Sequence, residues 1–184
     1  MPPAKSPSLS PNLSPRLLAA LVLVISLALI GGAFFFEYGL GLMPCELCLK
    51  QRIPYYVAMP LALAMALLPD RPGSFAALRG VGFGALVVIF LIGAGLGIYH
   101  SGVEWHFWAG PADCTGPLGA NAGINDFLKS LQTTRVVRCD EAAWRFLGLS
   151  LAGWNVIASL GLSLLAGLGL ARSGAGRAKT AAAA

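Results

Sequence analysis

Four long stretches of this chain contain no charged residue, and they limit its possible folds more than any other feature. The uncharged stretches are residues 17–36, 53–69, 80–99 and 146–171. A helix that crosses a membrane requires about 20 consecutive apolar residues, within a range of about 17–25. Charged residues make up 11% of the chain, whereas a soluble domain has about 25%. The sequence therefore predicts an all-α membrane protein, a transmembrane bundle of four helices.

Lys and Arg residues indicate which ends of these helices face the cytoplasm. We place the spans at about 17–36, 52–69, 80–99 and 146–171. The Lys and Arg residues on the side of the two termini are Lys5, Arg16, Arg71, Arg79, Arg172, Arg177 and Lys179. The short loop 37–51 contains Lys50, with Arg52 at its edge. Because positive residues favour the cytoplasmic side, we expect cytoplasmic termini and two outward loops, 37–51 and 100–145.

The rest of the chain is predicted to form tails and one short surface helix. Residues 1–16 and 172–184 are expected to be disordered cytoplasmic tails around a membrane domain of residues 17–171. Apolar side chains of residues 124–131 fall on one face, which predicts a short helix on the membrane surface. The first span exceeds the core of a signal peptide, about 7–15 residues, so we expect an uncleaved anchor. The net charge is +5, but no basic cluster is present, so nucleic acid is not an expected partner.

The four cysteines lie outside the predicted spans, two in each outward loop. Cys45 and Cys48 form a C-x-x-C sequence, the spacing of redox-active dithiols. Pro44 precedes them, which favours a helix that starts near Cys45 and stabilises a thiolate with its first amide groups. Cys114 and Cys139 are 25 positions apart within one polar loop, a spacing that suits a disulfide closing that loop. An even number of cysteines on an outward face favours disulfides.

Other uses of these cysteines compete with redox chemistry. A purely structural C-x-x-C bridge beside the membrane remains an alternative. A zinc site is disfavoured, because Cys114 and Cys139 are not the close second pair that four-cysteine sites contain. Attached haem requires a histidine at the position of Leu49. We therefore predict redox-active cysteines and no metal.

Two basic residues at the outer ends of the spans are candidates for the same site. Arg52 follows Cys48 by four positions, so on a helix the two share one face. Arg52 either extends its charge to water as a membrane anchor or acts as a fixed cation beside a thiolate or a polarised carbonyl. His100 ends the third span and is either an interfacial residue or a donor to a redox ligand.

The cysteines, the basic residues and a tryptophan-containing segment occur in a definite order. They are Pro44-Cys45-Glu46-Leu47-Cys48, Arg52, His100, Cys114 with Cys139, and Trp144-Arg145-Phe146-Leu147-Gly148-Leu149. In this order and topology the chain resembles the DsbB family of disulfide bond formation proteins. The resemblance covers roughly residues 17–170.

The resemblance implies an enzyme of the bacterial inner membrane. Members of this family reoxidise DsbA, a soluble periplasmic thiol oxidase, and pass the electrons to a membrane quinone. The implied cofactor is ubiquinone or menaquinone, and the implied partner is a DsbA-like protein. Both outward loops would then lie in the periplasm. Cys48 would be the thiolate that faces the quinone, Arg52 would stabilise its charge, and His100 would border the quinone head.

The resemblance also implies an order of thiol exchange. The redox disulfides would be Cys45–Cys48 and Cys114–Cys139. Cys114 would take the attack of the partner's thiolate, and the released Cys139 would attack Cys45. The electrons of the soluble partner would thereby move from the outer loop to the membrane surface.

Two other functions remain open at this point. The vitamin K epoxide reductase family also combines a small bundle, a C-x-x-C sequence and quinone chemistry, but there the C-x-x-C lies late in the helix order. A non-enzymatic scaffold or carrier with structural disulfides is the second. A carrier is expected to have polar residues within its spans, and here Ser26, Asn155, Ser159 and Ser163 are nearly all of them.

Overall fold

The computed structural model describes residues 14–69, 74–111 and 139–181. Helix α1 is Pro15–Phe34 and continues as a π-helical turn, Phe35–Gly39. Helices α2 and α3 are Glu46–Leu67 and Ser74–Glu104. Strands β1, Arg145–Phe146, and β2, Leu149–Ser150, precede helix α4, Leu151–Ala181. Cys114 and the surface helix predicted at 124–131 lie outside the described residues, as do residues 1–13.

Three helices in the described part of the chain are long and apolar enough to cross a membrane: Pro15–Gly39, Phe75–Glu104 and Leu151–Ser173. The prediction of a helical membrane protein is confirmed. Helix α2, which contains the predicted second span, is not among the three. Its first turns carry Glu46, Lys50 and Arg52, and these charges lower the apolar character of the helix as a whole.

The last predicted span, 146–171, begins before its helix does, and the helix extends beyond the predicted end. Residues 145–150 form an antiparallel hairpin that pairs Arg145 with Ser150 and Phe146 with Leu149. Leu147 and Gly148 turn the chain with positive φ angles of 52° and 82°, as both central residues of a type I′ turn require. Residues 146–150 are uncharged, so charge alone could not separate them from the helix that follows. At the other end, α4 continues to Ala181, where a disordered tail was predicted from 172.

Small residues bring the helices close together. Ala58 and Ala62 of α2 are fully buried in the core. A methyl group added at Gly97 of α3 would meet Val156 Cγ2 at 2.8 Å and the Ala152 carbonyl oxygen at 3.2 Å. Helices α3 and α4 therefore approach each other so closely at Gly97 that no side chain fits there. The close approach sets the position of the α4 residues that border the site.

Candidate active site

The C-x-x-C sequence lies at the N-terminus of α2, as predicted. Cys45 is the N-cap residue, with an extended backbone, and its Sγ accepts a hydrogen bond from the Cys48 amide at 3.3 Å. The two Sγ atoms are 3.0 Å apart, and both cysteines are free thiols. Cys45 is buried, whereas Cys48 is partly exposed. The local helix start thus places two thiols together where one thiolate can be stabilised by backbone amides.

The two thiols differ in acidity. The hydrogen bond with the Cys48 side chain lowers the pKa of Cys45, and His100 and the Cys48 amide lower it further, although burial opposes them. The same side-chain hydrogen bond raises the pKa of Cys48, as do burial and the negative charges of Cys45 and Glu104. Either thiol can donate while both are protonated, but Cys48 becomes the donor once Cys45 ionises. In the reduced state Cys45 is therefore the more acidic of the two thiols.

A cavity of about 610 Å³ lies beside this dithiol, between α1, α2, the hairpin and α4. Most of its wall consists of apolar and aromatic side chains, including Phe36, Trp144, Phe146 and Trp154. The polar side chains in the wall are those of Cys48, Gln51, Arg52, Tyr55 and Asn155. Such a volume, with few polar groups, is typical of small-molecule sites.

Arg52 is held in the cavity wall by an acidic partner that the sequence analysis did not identify. Its Nη1 donates to Glu37 Oε2 at 2.7 Å, and the exposed fractions of the two side chains are 11% and 16%. The guanidinium also lies 5.2 Å from the centre of the Phe34 ring. Arg52 is thus not a membrane anchor that extends to water. The position of Glu37, at the end of the first uncharged stretch, was the available signal.

His100 contacts the dithiol from the side of α3. Its side chain is buried, with Nε2 at 3.6 Å from Cys45 Sγ and at 3.8 Å from Glu104 Oε1. The other ring nitrogen, Nδ1, lies 2.6 Å from Gln51 Nε2. His100 is not one of the described residues that line the cavity. The structure therefore brings His100 to Cys45 rather than to the cavity.

Cys139 is part of the same region. It is disulfide-bonded and belongs to a small buried cluster with Cys45, Leu47 and Val103. Cys114 lies outside the described residues, so its pairing with Cys139 stays a prediction. The cluster brings three of the predicted cysteines to one end of the bundle.

The dithiol and the histidine have the chemistry of metal ligands. One ligand atom from each of Cys45, Cys48 and His100 lies within 4.8 Å of the others. The same three side chains can instead serve thiol exchange, since one stabilises the thiolate of another. The adjoining apolar cavity favours this second use.

These features define a helical membrane protein with a dithiol at a helix N-terminus beside an apolar cavity. The chain belongs to the DsbB family, because the family model described as "Disulfide bond formation protein DsbB" matches residues 15–169. It is accordingly a membrane protein of disulfide bond formation. The match favours this family over the vitamin K epoxide reductase family.

Individual relatives agree with the family match. The chain is 31% identical over 160 residues to "Disulfide bond formation protein B" of Marinobacter nauticus, which covers 82% of this chain and 86% of the relative. A protein of the same description from Methylococcus capsulatus is 33% identical over 143 residues, covering 73% and 81%. No solved structure was found that matches the chain.

Proposed function

We propose that this protein is a thiol:quinone oxidoreductase of the bacterial inner membrane. It reoxidises a periplasmic DsbA-like dithiol oxidase and passes the electrons to a membrane quinone, ubiquinone or menaquinone, so that disulfide bonds can form in other proteins. Four spans place both termini in the cytoplasm and the cysteines in the periplasm. The proposal extends the family membership to a substrate pair and an orientation.

One observation carries the proposal: Cys48 and Arg52 share the wall of a largely apolar cavity of about 610 Å³. A quinone combines an apolar ring and tail with two carbonyl oxygens. The aromatic and aliphatic wall suits the ring, and the guanidinium of Arg52 suits a carbonyl oxygen whose negative charge increases on reduction. The residues present therefore fit this group. A quinone takes up two electrons and two protons and leaves as the quinol.

The protein's own part in the reaction is a series of thiol exchanges. A thiolate of the partner attacks Cys114 and forms a mixed disulfide, while Cys139 leaves as a thiolate. Cys139 then attacks Cys45, and the Cys45–Cys48 bond breaks with its electron pair on Cys48. The shared buried cluster of Cys45 and Cys139 supports this second step. The partner's second thiolate attacks the mixed disulfide, which releases the oxidised partner and the Cys114 thiolate. Cys114 then attacks Cys139, which restores the Cys114–Cys139 disulfide and leaves Cys45 and Cys48 as a reduced dithiol.

The two cysteines of the C-x-x-C sequence alternate in ionisation. The pKa of Cys48 is raised in the reduced dithiol because Cys45 carries the negative charge beside it. When Cys45 is bound in a disulfide that charge is absent, and the amide groups at the helix start are free to stabilise Cys48. The thiolate then lies in the cavity wall beside Arg52.

The proposal is tested with the purified protein, a reduced DsbA-like partner and a soluble quinone analogue. We expect one quinone to be reduced for each disulfide formed in the partner, and no reduction with Cys48→Ser. Oxidation of the partner without quinone consumption under anaerobic conditions would overturn the proposal.

A further inference from the structure

A chain of polar side chains connects the interior of the bundle to the dithiol. In order, its members are Ser159, Tyr55, Asn155, Gln51, His100 and Cys45. Tyr55 OH, which lies 3.0 Å from Ser159 Oγ, donates to Asn155 Oδ1 at 2.6 Å. Asn155 Nδ2 donates to Gln51 Oε1 at 2.6 Å. Helices α2, α3 and α4 all contribute to this chain, and none of these contacts lies within one helix.

The hydrogen bonds determine which ring nitrogen of His100 carries the proton. Because Tyr55 donates to the Asn155 carbonyl, the Asn155 amide nitrogen faces Gln51, and the Gln51 amide nitrogen faces His100 Nδ1. An amide NH₂ group only donates, so Nδ1 must be the acceptor, and the proton of the neutral ring lies on Nε2. The assignment rests on the orientations in which the structure places the Asn155 and Gln51 amide groups. Nε2–H is the group that faces Cys45 Sγ at 3.6 Å.

Other ionisable groups also face this end of His100. Glu104, on the same helix, has Oε1 3.8 Å from Nε2, and its Oε2 has no hydrogen-bond partner in the described structure. Cys48 Sγ lies 3.0 Å from Cys45 Sγ and within 4.8 Å of a ring nitrogen of His100, and Cys139 belongs to the same buried cluster as Cys45. From α4 the neighbouring group is the neutral Asn155. A thiolate at Cys45 and the Glu104 carboxylate thus compete for one N–H.

We propose that Gln51, Asn155 and Tyr55 are positioning residues that hold the Nε2–H group of His100 toward Cys45 Sγ and so stabilise Cys45 as a thiolate. The proposal rests on the proposed function, in which the reduced dithiol must be reoxidised. In that step a bond forms between Cys45 Sγ and Cys48 Sγ, both thiol protons are lost, and two electrons pass to the quinone. A Cys45 that is already a thiolate is the nucleophile for this bond.

The three positioning residues also line the cavity. The Gln51 amide, which sets the His100 tautomer, would therefore also contact the proposed electron acceptor when that acceptor is bound. This arrangement links the acceptor site to Cys45, which itself is not in the cavity wall. Arg52 also lies in the cavity wall, but its guanidinium donates to Glu37 and is not a member of this series of hydrogen-bonded side chains.

The test measures the alkylation of Cys45 in the reduced full-length protein, with Cys114 and Cys139 replaced by Ser. The rate of reaction with iodoacetamide is followed against pH, and mass spectrometry identifies the modified cysteine. Starting from a Cys45 pKa of about 4, we expect Tyr55→Phe, which keeps the ring, to lower the acidity of Cys45 about threefold, and Gln51→Leu to lower it about tenfold, so the midpoint of the pH profile rises by about 0.5 and about 1 unit. Tyr56→Phe is the matched control, since Tyr56 is exposed on the same helix, and it should leave the rate unchanged.

The experiment separates this proposal from its alternatives. If Tyr55→Phe and Gln51→Leu leave the pH profile unchanged while Glu104→Gln shifts it, Glu104 orients His100 and the proposal is wrong. If Gln51→Leu does not fold, the pH profile of Tyr55→Phe alone tests the proposal, and an unchanged profile contradicts it. Alkylation needs neither quinone nor partner, so a wild-type protein that fails to reduce quinone overturns the proposed function without altering this result.

Discussion

Arg52 Nη1 donates to Glu37 Oε2 at 2.7 Å, and this pair joins the start of α2 to the π-helical turn that follows α1. A charge near the hydrocarbon boundary is costly unless an opposite charge accompanies it. Glu37 supplies that charge, so the guanidinium is fixed in the cavity wall. The pair also joins two segments that are separated by the irregular residues 40–44.

Arg52→Ala is expected to raise the KM for quinone about tenfold, because a charge-assisted hydrogen bond contributes about 1.5–3 kcal/mol. Arg52→Lys should restore part of the loss, since a lysine keeps the charge without the planar fork. Lys50→Ala is the matched control: Lys50 pairs with Glu46 on the exposed face of the same helix. Steady-state kinetics at varied quinone concentration provide the measurement. Unchanged quinone saturation in Arg52→Ala, with failed oxidation of the partner, would show that Arg52 acts elsewhere.

Gly97→Ala should destabilise the protein relative to Gly95→Ala by about 1–3 kcal/mol, the usual cost of overpacking. An added methyl group at Gly97 meets Val156 and the Ala152 backbone, whereas at Gly95 nothing lies within 4 Å. Both substitutions make the same change in helix propensity, so the difference isolates the packing. Thermal denaturation in detergent, in parallel samples, measures it. Equal midpoints would mean that α3 and α4 do not pack as closely as described.

Cys139→Ser should accumulate a mixed disulfide with a partner that lacks its own second cysteine. Without Cys139, the Cys114 thiolate attacks Cys45 and Cys48 leaves. The partner's thiolate then attacks Cys114 and displaces Cys45, so the two electrons remain on Cys45 and Cys48 while the partner stays bound to Cys114. A non-reducing gel reveals the adduct, and Cys114→Ser in the same background should abolish it. An adduct that survives Cys114→Ser but disappears with Cys45→Ser would show direct attack on the C-x-x-C sequence.

The proposed orientation predicts the activity of alkaline phosphatase fusions. A fusion after Gly73 should be inactive, because the connection between the second and third spans is expected to face the cytoplasm. A fusion after Gly119 should be active, because that loop is expected to face the periplasm. The opposite pattern would place the cysteines in a reducing compartment and contradict the proposed function as a whole.

Local patterns predicted the helices and the dithiol but not the partners of the site residues. Uncharged stretches located α1, α3 and most of α4, and the C-x-x-C sequence located the start of α2. The hairpin at 145–150 was missed because its turn is made by Leu147 and Gly148 rather than by charged residues. The contacts of Gln51 with His100 and Asn155 join residues 49 and 104 positions apart. No periodicity along the sequence encodes such pairs, since helix packing alone creates them.

The π-helical turn Phe35–Gly39 determines how a one-residue deletion in this segment would affect the site. A π-helical turn holds one more residue than the α-helical turn it replaces, so removing one residue here can leave a continuous helix. Each residue of an α-helix rotates the next by about 100°, however, and the deletion would turn Glu37 away from Arg52. Deleting one residue here would thus alter the Glu37–Arg52 pair, and would not merely shorten a connection. In this chain, such a deletion would leave Arg52 without the carboxylate that now accompanies it.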